Sequence, residues 1–499
     1  MSSTSGSRPG TRRRLWLIPL AGALIGALLS LLLGPHATSL GPPTGDQTLA
    51  RDAQAVLGDP VGYGAVSVVR IRDGQAAWAG FPAKGQSLDE HTLFELGSIT
   101  KTFTGLLLAD AVEKSEVRLD DPLEKHLPRL NGSPAGSVTL EELASHRSGL
   151  PSMHRMPMGE ILLEDLAGTE LSVFAASTDD LITAARTLEL SGRGTYAYSN
   201  LGSALLGHAL ARTAGAADWP AYVNERLLTP LGMTETVIIP PGQHDPGLAQ
   251  PRLAGGRPVA AWTGSGYAPA GAGVLTSAAD LTTYAQAILD GTAPGLVALD
   301  PRWDTTGALA SFSRVGLTWM SSGDPGAEMQ WHNGGTGGTR TILAVDRHTN
   351  TAAVILNSSK TDVTGAGLQL AGANGGPPRF LLSLSERDYY WILGVVPVLV
   401  LAIGALRGRN RIGLITRTVW AVGGLILIWL AGPWDWVPGW VFGLLAGVAV
   451  ASVVVAGLRW RPLPWRPRRF GWLTVPVLLA GVALVALVTS TLVRALQIT

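Results

Sequence analysis

From residue 389 to residue 499 the chain carries a single acidic residue, Asp435, set among four long apolar runs near 389–406, 414–431, 438–457 and 472–493. Each approaches the roughly 20 residues that a helix needs to cross a hydrocarbon layer, where backbone groups must be satisfied within the segment. The pattern predicts a transmembrane helical region over 389–499. Its loops set an orientation. Residues 407–411 (RGRNR) and 459–469 (RWRPLPWRPRR) are strongly basic, whereas AGPWDWVPG between the middle runs has no lysine or arginine. Basic loops stay in the cytoplasm, which places residue 388 and the segment before it outside. The other end agrees: Arg12, Arg13 and Arg14 precede an apolar run at 15–33 (LWLIPLAGALIGALLSLLL). Residues 1–14 are therefore expected in the cytoplasm, with 15–33 as a signal anchor or as a signal peptide cleaved near 36–38. The expectation is a multi-pass protein of the cell membrane, partnered by the lipid bilayer, with its large middle segment extracytoplasmic.

That middle segment has a different character. Residues 46–388 hold 36 acidic and 24 basic residues, a net of −12 that would repel nucleic acid. The chain has no cysteine, which excludes disulfides, thiolate metal sites and a cysteine nucleophile. A helical pattern (TLARDAQAVLG) is followed by a hairpin whose strands, AVSVVRIR and QAAWAGF, flank a turn at Asp73-Gly74. Helical patterns dominate to about residue 300, and LTWM, WHNGGTGGTRTILAVD and TAAVILNSS then read as successive antiparallel strands. Strands at both ends with helices between predict an α/β layered (α+β) domain over 46–363, whose antiparallel sheet joins the two ends and is flanked by helices. The composition of TGAGLQLAGANGGPPR makes 364–388 an expected linker.

Ser98 and Lys101 lie three residues apart at the head of a predicted helix, in FELGSITKTFTGLLLADAV, so both side chains share one face. A serine hydroxyl is a poor nucleophile until a base takes its proton. Lys101 can be that base only if burial or a cationic neighbour lowers its pKa enough to leave it uncharged. Such a pair calls for a second proton-transfer group and for oxyanion donors. Tyr198-Ser199-Asn200 follows a glycine-rich turn (SGRGTYAY) and precedes a helix; a second Tyr-x-Asn, from Tyr222 to Asn224, lies in a helical pattern where Tyr222 reads as packing. His332-Asn333-Gly334-Gly335 supplies glycines that let backbone N–H groups approach a ligand. His146, in SHRSGLP, reads as structural. No H-E-x-x-H, zinc-ligand cluster, phosphate-binding loop or G-x-S-x-G occurs, so neither a metal nor another cofactor is implied.

In that order S-x-x-K, Y-x-N and H-x-G resemble the penicillin-recognising serine hydrolases: class C β-lactamases, DD-peptidases and their esterase and D-aminopeptidase relatives. FELGSITKTFTG, LDDPLEKHLP, LASHRSGLP, YSNLGSALLGHAL, LLTPLGMTET and GAGVLTSAADL resemble the family's surrounding blocks, and the likeness covers about residues 50–360. It implies a β-lactamase/transpeptidase-like fold and an acyl-enzyme on Ser98, with Lys101 and Tyr198 sharing the proton work and either of them as base. It implies that Asn200 bonds the substrate or orients Lys101, and that the backbone N–H groups of Ser98 and Gly335 form the oxyanion hole. His332 and Gly334 would line the substrate site. Where β-lactamases carry a lysine in the third motif, His332 is a weaker carboxylate anchor, which fits the esterase and D-aminopeptidase relatives better than antibiotic hydrolysis. The expected substrate is a small molecule or peptide of the envelope or medium. A non-catalytic sensor, in which the outer domain binds a cell-wall fragment or β-lactam and the spans relay its state, is the alternative; a transporter ranks last because the spans hold no paired carboxylates.

Overall fold

The structure, a computed structural model, describes residues 9–84, 86–305, 312–324, 326, 328–373, 386–465 and 474–496. The chain divides into two bodies, one of Met1–Ala37, Ala254–Arg257 and Phe380–Thr499, the other of Thr38–Leu253 and Pro258–Arg379.

The larger body begins with helix α1 (Gln47–Leu57) and the hairpin β1 (Val66–Arg72) and β2 (Gln75–Phe81). Asp73 and Gly74 both take positive φ, as the tight turn between twisted strands requires. A short strand β3 (Phe94–Glu95) leads to helix α2 (Thr100–Glu113), followed by α3 (Asn200–Thr213) and α4 (Ala278–Leu289). Three long strands, β4 (Met329–Gly335), β5 (Arg340–Asp346) and β6 (Thr351–Asn357), and helix α5 (Thr364–Leu370) complete it.

The main sheet is antiparallel and runs Thr44–Gly45, β2, β1, β6, β5, β4, then the short strands Met320–Ser322, Arg314–Val315 and Trp303–Asp304. The N-terminal hairpin thus pairs in mid-sheet with the last long strand, Val66 opposite Asn357 and Arg72 opposite Thr351, which joins the segment's ends as the sequence predicts. Alternation in these strands sorts the apolar residues onto two faces. Val66, Val68, Ile342, Ala344, Ala353 and Ile355 pack with Leu49 and Ala53 of α1 and Ala366 and Leu370 of α5. Val69, Ile71, Leu343, Val345, Val354 and Leu356 face the helical layer that contains α2, α3 and α4. Each fully buried aliphatic side chain contributes roughly 1.5–3 kcal/mol.

Helix α2 is the inner member of that layer. Its residues from Thr100 to Ala111 are all buried, so it presents no solvent face. Tyr284 of α4 packs edge-on against Phe103 at 4.8 Å and donates to Thr102 Oγ1 at 3.0 Å. Of the stretch 364–388 expected as linker, Thr364–Leu370 is instead a helix in the core. The glycines that suggest a linker serve close packing: a Cβ at Gly367 would lie 2.4 Å from Ile342 Cγ2. Residues 374–385 of that stretch lie outside the described residues, and a helix begins at Glu386.

In the second body, Arg411–Ala431, Trp440–Leu458 and Val475–Val493 are long and apolar enough to cross a membrane. Helices Pro9–Leu33 and Glu386–Arg407 carry shorter apolar stretches, Leu17–Leu32 and Gly394–Arg407. Helix Pro9–Leu33 lies antiparallel against Trp440–Leu458 along Gly22, Gly26 and Ser30 on one side and Gly443, Gly447 and Ala451 on the other. Where lipid tails are as apolar as side chains, small residues let helices gain dispersion contacts by close approach. A Cβ at Gly447 would lie 1.9 Å from Gly22 O, one at Gly443 2.1 Å from Gly26 O, and Ser30 Oγ donates to Gly439 O at 2.7 Å. Gly447→Leu should therefore destabilise the detergent-solubilised protein by more than the roughly 1–3 kcal/mol usual for overpacking. Val450→Leu, at a position two-thirds exposed, should leave thermal unfolding nearly unchanged.

Candidate active site

Ser98 sits in the single 3-10 turn Gly97–Ile99 that opens into α2. Gly97 has φ +61, and a Cβ there would come 2.7 Å from Gly335 N. Gly271, at φ +113, lies on its other side, where a Cβ would meet Gly97 O at 2.1 Å. Only glycine permits both the conformation and the approach, so Ser98 is held by backbone stacked on backbone. From the sheet side, Thr341 Oγ1 donates to Leu96 O at 2.8 Å, and a Cβ at Gly334 would lie 2.3 Å from the same oxygen and 3.2 Å from Ser98 N. The N–H groups of Ser98 and Gly335 thereby belong to segments in direct contact.

One turn into the helix, Lys101 is fully buried. Its Nζ lies 2.9 Å from Ser98 Oγ and 2.8 Å from Ala270 O, and among the described residues no carboxylate pairs with it. Burial pushes its pKa well below the ordinary lysine value. A carbonyl only accepts, so one N–H is committed to Ala270. The same nitrogen is within hydrogen-bond distance of Ser98 Oγ, and in its uncharged form it would have a lone pair for the hydroxyl proton, the arrangement a general base needs. Tyr198 completes the group: its phenol bonds Ser98, its ring centre is 5.0 Å from Lys101 Nζ, and burial raises its pKa above the usual phenol value. The raised pKa keeps the Tyr198 phenol protonated at neutral pH, while burial shifts Lys101 toward its uncharged form.

The loop bearing Tyr198 is fastened to the SHRSGLP segment. Ala197 N–H donates to His146 O at 2.7 Å, Ser199 N–H to His146 Nδ1 at 3.2 Å, and Ser199 Oγ to Pro151 O at 2.7 Å. Ser199 also caps α3, accepting from Gly202 N–H. His146 is buried at φ +57, with its ring 4.4 Å from that of Tyr198. What reads in sequence as a structural histidine is the wall against which the phenol is set. Asn200 opens α3, and its amide donates to Ser152 Oγ at 3.4 Å. Tyr222 is a buried packing residue.

His332 projects from β4 on the face shared with Gly334, its ring 6.3 Å from Tyr198. Its Nδ1 bonds Asn333 O at 2.6 Å; since the carbonyl accepts, Nδ1 carries the hydrogen and the buried Nε2 is left bare. Burial, and then the neighbouring Lys101, push its pKa down to about 3. The weak cation expected from the sequence is therefore no cation at neutral pH. Ala270, Lys101's second partner, escaped sequence reading because a backbone acceptor leaves no signature in residue type.

A family model described as Beta-lactamase matches residues 54–372. A beta-lactamase of Escherichia coli (strain K12) is 45% identical over 67 residues, 13% of this chain and 18% of that relative. A Pseudomonas fluorescens beta-lactamase is 28% identical over 226 residues, 44% of this chain and 58% of the relative, so the chain spans less than two thirds of these curated relatives. A class C beta-lactamase from Rhodobacter sphaeroides superposes with a TM-score of 0.54 at 22% identity, covering 65% of this chain and 97% of that one. A D-alanine carboxypeptidase from Burkholderia cenocepacia superposes at 0.53 and 24% identity, with the same coverage. At these identities the structural likeness is one of fold.

Imidazole resonances check the charge state directly. Between pH 5 and 8 His332 should not titrate, because protonation begins only near its pKa of about 3. His91, exposed beside Glu235 and raised above the ordinary value by that carboxylate, should titrate in or above the upper part of the range.

Proposed function

This chain belongs to the beta-lactamase family, and we propose that it is a membrane-anchored, extracytoplasmic serine hydrolase that cleaves an ester or amide through an acyl-enzyme on Ser98. The observation that supports the reading is the fully buried Lys101 amine, 2.9 Å from Ser98 Oγ, with no carboxylate paired to it among the described residues and its pKa pushed well below the ordinary lysine value by burial. In the first half-reaction Ser98 Oγ attacks the carbonyl carbon while Lys101 takes its proton. The N–H groups of Ser98 and Gly335 hold the developing oxyanion, and Tyr198 passes a proton to the leaving group. In the second half-reaction water attacks the acyl-enzyme by the reverse relay and restores the serine. Asn200, with its amide oxygen uncommitted, and the rim of Gly334 and Gly335 bind the substrate. Because His332 supplies no fixed cation, an ester or amide without an anchoring carboxylate suits the site better than a penicillin.

The membrane part of the proposal rests on charge and packing. Antiparallel contact between Pro9–Leu33 and Trp440–Leu458 assigns Arg12–Arg14 and the basic residues after Leu458 to the same end of the helix pair. That is the pairing the positive-inside rule asks for, and it supports an outer location for the hydrolase body.

A fluorophosphonate probe should label the wild-type protein at Ser98 and leave Ser98→Ala unlabelled; absence of labelling on folded wild-type protein by both this probe and a labelled penicillin would sink the proposal. Lys101→Met should slow acylation by about a thousandfold or more, as expected when one member of a concerted unit is lost. Activity requires the neutral amine. As pH falls from the ordinary lysine value of 10.5, the rate should therefore hold its plateau and decline only below the depressed pKa of Lys101.

A further inference from the structure

Three residues before the nucleophile, Glu95 ends β3 with its carboxylate sealed from solvent. Burial raises its pKa to about 7 even though three donors reach it. Trp262 N–H meets Oε1 at 2.7 Å, and the Thr336 and Thr339 hydroxyls meet Oε2 at 2.7 and 2.9 Å. These donors belong to two separate segments. Thr336 directly follows Gly335, the expected oxyanion donor, and Thr339 closes the same turn between β4 and β5. Trp262 lies in the loop that runs on to Ala270, whose carbonyl holds Lys101. One side chain therefore ties together the segment of Ser98, the strand of Gly335 and the loop that anchors the base.

The surroundings say what such a tie is for. Gly271, Gly97 and Gly335 are stacked backbone on backbone with no side chain between them, so their spacing is set by whatever fixes the segments at their ends. Arg340 Nη1 donates to Thr336 O at 2.9 Å and to Thr339 O at 2.8 Å, which secures the turn's carbonyls while Glu95 secures its hydroxyls. A buried carboxylate used only for packing is commonly matched or bettered by an apolar side chain of similar volume. Here it stands where a shift of a few tenths of an ångström would move an N–H donor relative to the nucleophile.

We propose that Glu95 is a positioning residue that sets the separation of the Ser98 and Gly335 N–H groups, and so the strength with which the site binds the oxyanion of the tetrahedral intermediate. The inference rests on the hydrolase reading above. It does not touch substrate; it acts through Thr336, Thr339 and Trp262. Loss of alignment should lower kcat and leave KM nearly unchanged, because the oxyanion forms only after binding.

The test compares wild type with Glu95→Gln, Glu95→Leu and the double variant Thr336→Val/Thr339→Val, each in the full chain. The readouts are hydrolysis of a p-nitrophenyl acyl ester and affinity for phenylboronic acid, which mimics the tetrahedral adduct. Expected is a fall in kcat of about tenfold to a thousandfold in Glu95→Leu and in the threonine pair, with KM within about threefold and boronate affinity falling in parallel. Glu95→Gln, which keeps an acceptor of the same size, should recover part of the loss. Wild-type kcat and boronate affinity in the threonine pair and in Glu95→Gln, with only the unfolding temperature lowered, would overturn the proposal even if Glu95→Leu fails to fold. Wild-type labelling by the fluorophosphonate tests the hydrolase reading separately, and the oxyanion role falls with it if that labelling fails. Amide exchange in residues 333–340 of Glu95→Gln then still decides whether the clamp exists: faster exchange than wild type supports it, and unchanged protection removes it.

Discussion

The structure depends on an amine kept inside an apolar layer without a counter-charge. A lysine ammonium moved out of water without a counter-charge is costly, so burial pushes the Lys101 pKa well below its ordinary value and favours the uncharged amine that a base requires. Helix α2 must be enclosed on every side for this to hold, and from Thr100 to Ala111 it is. Packing and chemistry are therefore the same requirement. On a helix with a solvent face Lys101 would be a hydrated cation three residues from a serine, unable to accept its proton.

Two imidazoles extend the logic. His146 and His332 are both buried near Lys101, and for each burial first, then the charge Lys101 carries when protonated, disfavours the imidazolium. Their hydrogen bonds select opposite tautomers: His146 accepts from Ser199 N–H at Nδ1, whereas His332 donates from Nδ1 to its neighbour's carbonyl. Neither competes with Lys101 for a proton at neutral pH. Of these three side chains, Lys101 is the one whose nitrogen touches Ser98.

What was legible in the sequence follows from how local its cause is. The i, i+3 spacing of Ser98 and Lys101, the Asp73-Gly74 hairpin and the β-branched strands of the C-terminal half are short-range patterns, and the structure realises each of them. The order Ser98, Tyr198, His332 was legible only as a resemblance, since the three are brought together by a sheet and a loop lying hundreds of residues apart in sequence. The helix Thr364–Leu370 was hidden because its glycines lower helix propensity, and close contact with Ile342 outweighs that deficit. The charge of His332 is not legible in the sequence, because burial decides it. Glu95 gave no warning, being one carboxylate in an apolar run whose partners, Trp262, Thr336 and Thr339, are distant in the chain.

Glycine does related work in both bodies for different physical reasons. Between Pro9–Leu33 and Trp440–Leu458 the missing Cβ atoms let two helices meet at carbonyl distance, where dispersion is the main attraction open to them. At Gly271, Gly97 and Gly335 the same omission brings three irregular segments together, and the gain there is the direction in which N–H groups point. A helix interface spreads its contacts over several turns and can absorb a small shift. On the hydrolase reading the stack beside Ser98 cannot, because there its output would be the alignment of two donors. Polar clamps such as Glu95 and Thr341 accordingly accompany the glycines at the site, while at the helix pair the bond from Ser30 to Gly439 lies at one end.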